Sequence, residues 1–204
     1  MRGARRAGIG VLVLLIAIST AGCAAERTSA PSPSTEARVT APTPVAQSTL
    51  PAVPSAVPTA LSIPALGLSA AVRVMGASAC PMLNPPTRQD AYWIECRAKP
   101  GTDSDGTVFI IGHSIAGGHG VFNDLQRLSV GDDVDLSTPS GTLTYRVQRT
   151  TNHTKFGEVQ HAPEVVERVP GRLVLVTCFL GPGGTETDKN FVAQAELVAA
   201  SPQR

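Results

Sequence analysis

Apolar positions along this chain fall into short runs, with no stretch that repeats at helical spacing. Val108-Phe109-Ile110-Ile111 and Leu173-Val174-Leu175-Val176 are unbroken and rich in β-branched residues, the pattern of strands buried on both faces. Residues 143–149 alternate apolar with polar, as a strand does when only one face meets the core. Further runs at 61–63, 71–74, 92–94, 134–136 and 191–198 bring the number of predicted strands to eight, and Pro139-Ser140-Gly141 supplies a hairpin turn. Helix is confined to a turn or two at 121–127 and another at 163–168. Eight antiparallel-leaning strands with closed edges predict an all-β fold, a closed eight-stranded barrel with one or two short helices.

The segment before the first strand reads differently. Met1 to Arg6 carries three arginines, Ile9 to Ile18 is almost wholly apolar, and Ser19-Thr20-Ala21-Gly22 leads into Cys23. A basic start, a short apolar core and a small-residue exit describe a secretory signal. The core is shorter than the ~20 residues of a spanning helix. Cys23 after Ala-Gly also matches a bacterial lipobox, although Thr20 stands where leucine is usual. Lipidation at Cys23, an uncleaved anchor and plain secretion all place the rest of the chain outside the membrane. Residues 24–57 are mostly Pro, Ser, Thr, Ala and Val and lack the apolar surface to offset the entropy of ordering, which predicts a disordered tether. The expected organisation is a signal over 1–23, a tether over 24–57 and one folded domain over 58–204.

A net charge of +1 carries no nucleic-acid footprint. With Cys23 assigned to the signal, Cys80, Cys96 and Cys178 remain. In an oxidising exterior an odd number implies one bridge and one free thiol. Cys80 and Cys96 flank the turn-rich Asn84-Pro85-Pro86, so a Cys80–Cys96 disulfide is expected, worth about 3 kcal/mol by chain entropy. Cys178 is then the free thiol. No cysteine or histidine pair has zinc spacing, and the Asp103/Asp105 and Asp132/Asp133 pairs are ordinary turn composition. No metal and no cofactor are expected. His119, His153 and His161 lie in polar or irregular stretches and read as surface residues.

Both apolar runs stop at a potentially reactive side chain: Leu175-Val176-Thr177-Cys178 in one, Gly112-His113-Ser114 in the other. Strand ends hold side chains rigidly, so a thiol and an imidazole can be kept together. This pairing resembles the sortases, cysteine transpeptidases of Gram-positive cell surfaces. Leu61-Ser62-Ile63-Pro64-Ala65-Leu66-Gly67-Leu68 is similar to the opening strands of the sortase barrel, Gly120-Val121-Phe122-Asn123-Asp124-Leu125 to its short helix after the histidine, and Val130-Gly131-Asp132-Asp133-Val134 to the turn into the next hairpin. The resemblance runs from about Thr59 to Val198 and is nearest to the class E and F enzymes of actinobacteria.

The resemblance implies that Cys178 attacks a backbone carbonyl of an LPxTG-like sorting peptide and forms a thioacyl intermediate. His113 would protonate the leaving amine and then deprotonate the acceptor, an amine of the cell wall or a pilin, or water. It also implies a peptide groove, for which Ala116, Gly117, Phe156 and Thr177 are candidates. The family places an arginine on the strand after the cysteine, but here that position falls at Asp188. Lys189 as a point charge and Asn190 as an amide donor are the substitutes, and a catalytically impaired, membrane-tethered wall-binding lipoprotein is the alternative function. A monomer is expected. An L,D-transpeptidase, the other Cys/His wall enzyme, would carry Ser-His-Gly before its cysteine, where this chain has Leu-Val-Thr.

Overall fold

The computed structural model describes residues 49–76, 84–155 and 161–204. Eight strands form it: β1 (Ala60–Ile63), β2 (Leu68–Met75), β3 (Ala91–Ile94), β4 (Val108–Ile111), β5 (Asp133–Thr138), β6 (Gly141–Thr154), β7 (Arg172–Gly181) and β8 (Thr185–Pro202). They close into a barrel in the order β1-β2-β3-β4-β7-β8-β6-β5. The one α-helix among the described residues is α1 (Pro163–Val166); Leu125–Arg127 forms a 3-10 turn. Every strand expected from the apolar pattern is present, and the closed barrel agrees with that reading.

Two features exceed what the pattern carried. β2 pairs with β3, and β4 with β7, in parallel. Parallel neighbours need a crossover in place of a hairpin, and the β4-to-β7 crossover contains β5, β6 and α1. The strands also outrun their apolar runs. β6 continues through the polar Thr150-Thr151-Asn152-His153-Thr154 because β8 pairs with it over that whole length.

Alternation along β4, β7 and β8 sorts the side chains into two apolar clusters. Val108, Ile110, Leu173, Leu175, Phe191, Ala193 and Ala195 pack inside the barrel with Trp93, Phe122, Leu136 and Leu143. Phe109, Ile111, Val174, Val176 and Val192 form the second cluster on the outer face, where Ala162 and Val165 of the α1 region cover them. Full burial of side chains this size stabilises by about 1.5–3 kcal/mol each before the entropy of ordering is subtracted. Trp93 lies inside with its indole N–H donating to the Ala98 carbonyl at 2.9 Å, so its polar atom is satisfied. Tyr145 is buried in the same cluster with a hydroxyl that has no hydrogen-bond partner among the described residues.

Candidate active site

Cys178 lies on β7, three residues before that strand ends at Gly181. By alternation it belongs with Val174 and Val176 on the outer face, and its directly paired neighbour across β8 is Asn190. Directly paired residues share a face, so Asn190 stands beside the thiol. On the other side, Ile111 of β4 pairs in parallel with Val176, and the Gly112 N–H still donates to the Val176 carbonyl at 3.3 Å. Two residues on from that pair, His113 and Cys178 come alongside. Strand register thus sets Cys178 beside Asn190, and the turn that leaves β4 brings His113 to the same place. All three line a cavity of about 90 Å³, with Asn84, Pro85, Ile111, Gly112, Val176 and Thr177.

The turn that follows β4 explains how His113 is presented. Gly112 has no room for a side chain, because a Cβ there would lie 2.6 Å from the Phe122 ring and from Val121. The His113 carbonyl accepts from the Phe122 N–H at 2.9 Å, and a side chain at Gly120 would strike that carbonyl. Asn123 closes the loop: its Oδ1 accepts from the Ile115 and Gly120 N–H groups, each at 2.8 Å, and its Nδ2 donates to the Gly118 carbonyl at 2.9 Å. Ala116 and Gly117 are exposed on this loop, away from the lining of the cavity.

Thr177 turns the opposite way from Cys178. It is buried, its hydroxyl donates to the Gly112 carbonyl at 2.8 Å, and Ser114 Oγ lies 2.8 Å from it. Ser114 in turn donates to the Phe122 carbonyl at 2.6 Å. The Thr-Cys and His-Ser dipeptides are therefore stitched together through their hydroxyl residues, which fixes β7 against the histidine turn.

Asn190 donates through Nδ2 to the Thr177 carbonyl at 3.1 Å, leaving the second N–H of that amide for another acceptor. Lys189 is exposed, pairs with Thr154 of β6, and is absent from the cavity lining. Among the described residues, no lysine or arginine contributes to that lining. Asp188 is exposed too, with its carbonyl accepting from the Lys155 N–H at 2.8 Å. Cys178 is the free cysteine among the described residues. Cys96 is half-buried beside the outer apolar cluster and carries no free thiol. Cys80, Phe156 and Cys23 lie outside the described residues.

Two groups escaped the sequence reading. His113 Nε2 is 2.9 Å from the carbonyl of Pro85, in a segment read only as a turn; the Asn-Pro-Pro composition signalled the turn, and nothing signalled its destination. His153, read as a surface residue, pairs with Asn190 across β6 and β8, one strand further from Cys178. Its Nε2 lies 2.7 Å from Oε1 of Glu164, a carboxylate only 3% exposed, which also accepts from Thr151 Oγ1 at 2.9 Å and from Arg149 at 3.1 Å. Burial alone would push the Glu164 carboxyl up. Hydrogen bonds from its own backbone, His153 and Thr151, with the charge of Arg149, outweigh that and hold it below the usual value.

A closed barrel carrying cysteine and histidine on neighbouring strand ends defines a class of protein, and the comparisons agree with it. Residues 61–198 match the sortase domain. The chain belongs to the sortase family, cysteine transpeptidases. No curated protein matches it. Among solved structures, sortase A of Listeria monocytogenes is 20% identical, with a TM-score of 0.56 over 73% of this chain and 92% of that one. A lid mutant of sortase A from Corynebacterium diphtheriae is 18% identical, with a TM-score of 0.55 over 73% and 74%. Sortase C of Streptococcus pneumoniae is 16% identical, with a TM-score of 0.53 over 72% and 70%. At such identities the likeness speaks for the fold.

Proposed function

We propose that this protein cleaves a sorting-signal peptide of the LPxTG type through Cys178 and transfers the acyl fragment to an amine or to water. The Cys178 thiolate attacks the scissile carbonyl carbon. The tetrahedral intermediate collapses by breaking the C–N bond, and His113 delivers the proton that the departing amine needs. The thioester then accepts an incoming amine or water, whose proton His113 takes up while the thiolate leaves. Asn190 is the oxyanion donor in this reading, because it shares the cavity with Cys178 whereas Lys189 does not. Ile111 and Val176 supply an apolar wall beside the thiol.

The observation that carries the proposal is one cavity lined by His113, which follows the end of β4, and by the directly paired Cys178 and Asn190 of β7 and β8. We assign the chain to the class E/F-like sortases. It is held outside the membrane by lipidation at Cys23 or by its N-terminal anchor, with Cys80 and Cys96 bridged. The lack of a cationic side chain among the described residues of the cavity lining favours a second reading, a tethered wall-binding protein that has lost turnover. Cleavage of a panel of Leu-Pro-x-Thr-Gly-type peptides by the full chain, with Cys178→Ala as control, tests the first reading. The second predicts no cleavage and no labelling of Cys178 by a thiol probe in the native protein.

A further inference from the structure

The segment that precedes β3 reaches the candidate catalytic histidine directly. Pro85 is buried, it lines the cavity with Asn84, and its carbonyl oxygen stands 2.9 Å from His113 Nε2. A carbonyl can only accept, so the proton of this hydrogen bond belongs to Nε2. The neutral ring must then be the Nε2–H tautomer, and the nitrogen left to gain and lose a proton is Nδ1. In the protonated ring the same carbonyl receives a charge-assisted bond, which supports the imidazolium without moving it.

The carbonyl is held at several points. Tyr92 on β3 donates its hydroxyl to Thr87 Oγ1 at 3.0 Å, and Thr87 donates to Asp90 Oδ2 at 3.0 Å. Asp90 lies 3.5 Å from Arg73 of β2. The Arg88 carbonyl accepts from the Val121 N–H at 2.7 Å, tying the segment to the turn that carries His113. Tyr92 is itself buried in the outer apolar cluster, so the clasp stands on the barrel wall.

We infer that the Pro85 carbonyl is the orienting partner of His113, that the Tyr92–Thr87–Asp90 clasp keeps it in place, and that Nδ1 is the nitrogen that exchanges protons with thiol and substrate. This assigns a positioning role to Pro85, Thr87 and Tyr92, and it rests on the proposed role of His113 only for its catalytic consequence. Cysteine nucleophiles paired with histidine commonly have a third group that orients the base; here a main-chain oxygen would fill that place.

Imidazole 15N–1H spectra of the full chain, with His113 assigned through His113→Asn, test the geometry without any substrate. The expected result is an Nε2-bound proton that exchanges slowly with solvent and an unprotonated Nδ1 in the neutral ring. Thr87→Val and Tyr92→Phe should speed that exchange at least about tenfold, and Thr87→Ser, which keeps the hydroxyl, should restore it. On a cleaved peptide both clasp variants should lower kcat by about tenfold or more while KM stays within about twofold, since displaced reacting groups lose rate before affinity. A neutral ring protonated on Nδ1, or an Nε2 proton whose exchange is the same in all variants, would overturn the assignment. Absence of peptide cleavage would count against the proposed function and leave the spectroscopic result intact.

Discussion

Two histidines flank the Cys178–Asn190 pair, and opposite kinds of partner hold them. His113 shares its Nε2 proton with a neutral main-chain oxygen, that of Pro85. His153, one strand beyond Asn190, has its Nε2 against the buried carboxylate of Glu164, which Arg149 and Thr151 also engage. The Pro85 oxygen fixes the His113 ring but adds no charge, so the other nitrogen remains available for proton transfer. The Glu164 carboxylate gathers three partners from β6 and holds α1, whose Val165 helps cover Val176 and Val192. The two sites use the same side chain, one for chemistry under the proposed function and one for fastening α1 to β6. What distinguishes them is whether the partner is neutral and the neighbourhood open, or charged and fully satisfied.

That contrast breaks most sharply at the thiol. Cys178→Ala should abolish peptide cleavage, and His113→Asn should lower kcat by about 10²–10⁴, the usual worth of a positioned acid–base group; steady-state kinetics on one cleaved peptide decides both. His153→Gln should leave kcat within about threefold. A loss as large as that at His113 would place both histidines in the chemistry and end the distinction.

Asn190→Ala should reduce kcat by about 10²-fold, in line with the removal of one oxyanion donor, while Lys189→Ala stays within about twofold. Equal losses at the two positions would return the charge to Lys189 and imply a β8 end arranged differently when peptide is bound.

The fastening side is read by stability. Glu164→Gln should cost about 1–3 kcal/mol in denaturant unfolding, as charged hydrogen bonds are lost at a buried site. The folded-state carboxyl is depressed, so its contribution is full above the unfolded value near 4.5 and is lost as pH falls through the lower folded value. Unfolding free energies measured from pH 6 down to pH 2.5 should therefore fall less steeply in Glu164→Gln than in the parent.

Smallest is an effect of opposite sign inside the barrel. Tyr145 buries a hydroxyl without a partner, and burial raises its pKa far above the ordinary tyrosine value. Tyr145→Phe removes the unsatisfied group and keeps the ring, so thermal unfolding should show a gain of up to about 1 kcal/mol. A loss of similar size would mean that the hydroxyl finds a partner in solution.

The apolar runs by themselves determined that eight strands form and roughly where, because burial on one or both faces of a strand writes a period directly into the chain. They also marked Cys178 and His113, since each follows an unbroken buried run. Strand direction was beyond reach of the pattern: a parallel and an antiparallel neighbour bury the same residues, and the parallel β4–β7 pair that aligns His113 with Cys178 depends on a long crossover. Which of Asn190 and Lys189 stands beside the thiol turned on register, because one residue of slip along β8 exchanges the two faces of the sheet. Pro85 and Glu164 were invisible for the same reason. Their partners are 28 and 11 residues away in the chain, and no local preference of either residue encodes a contact made only when the barrel closes.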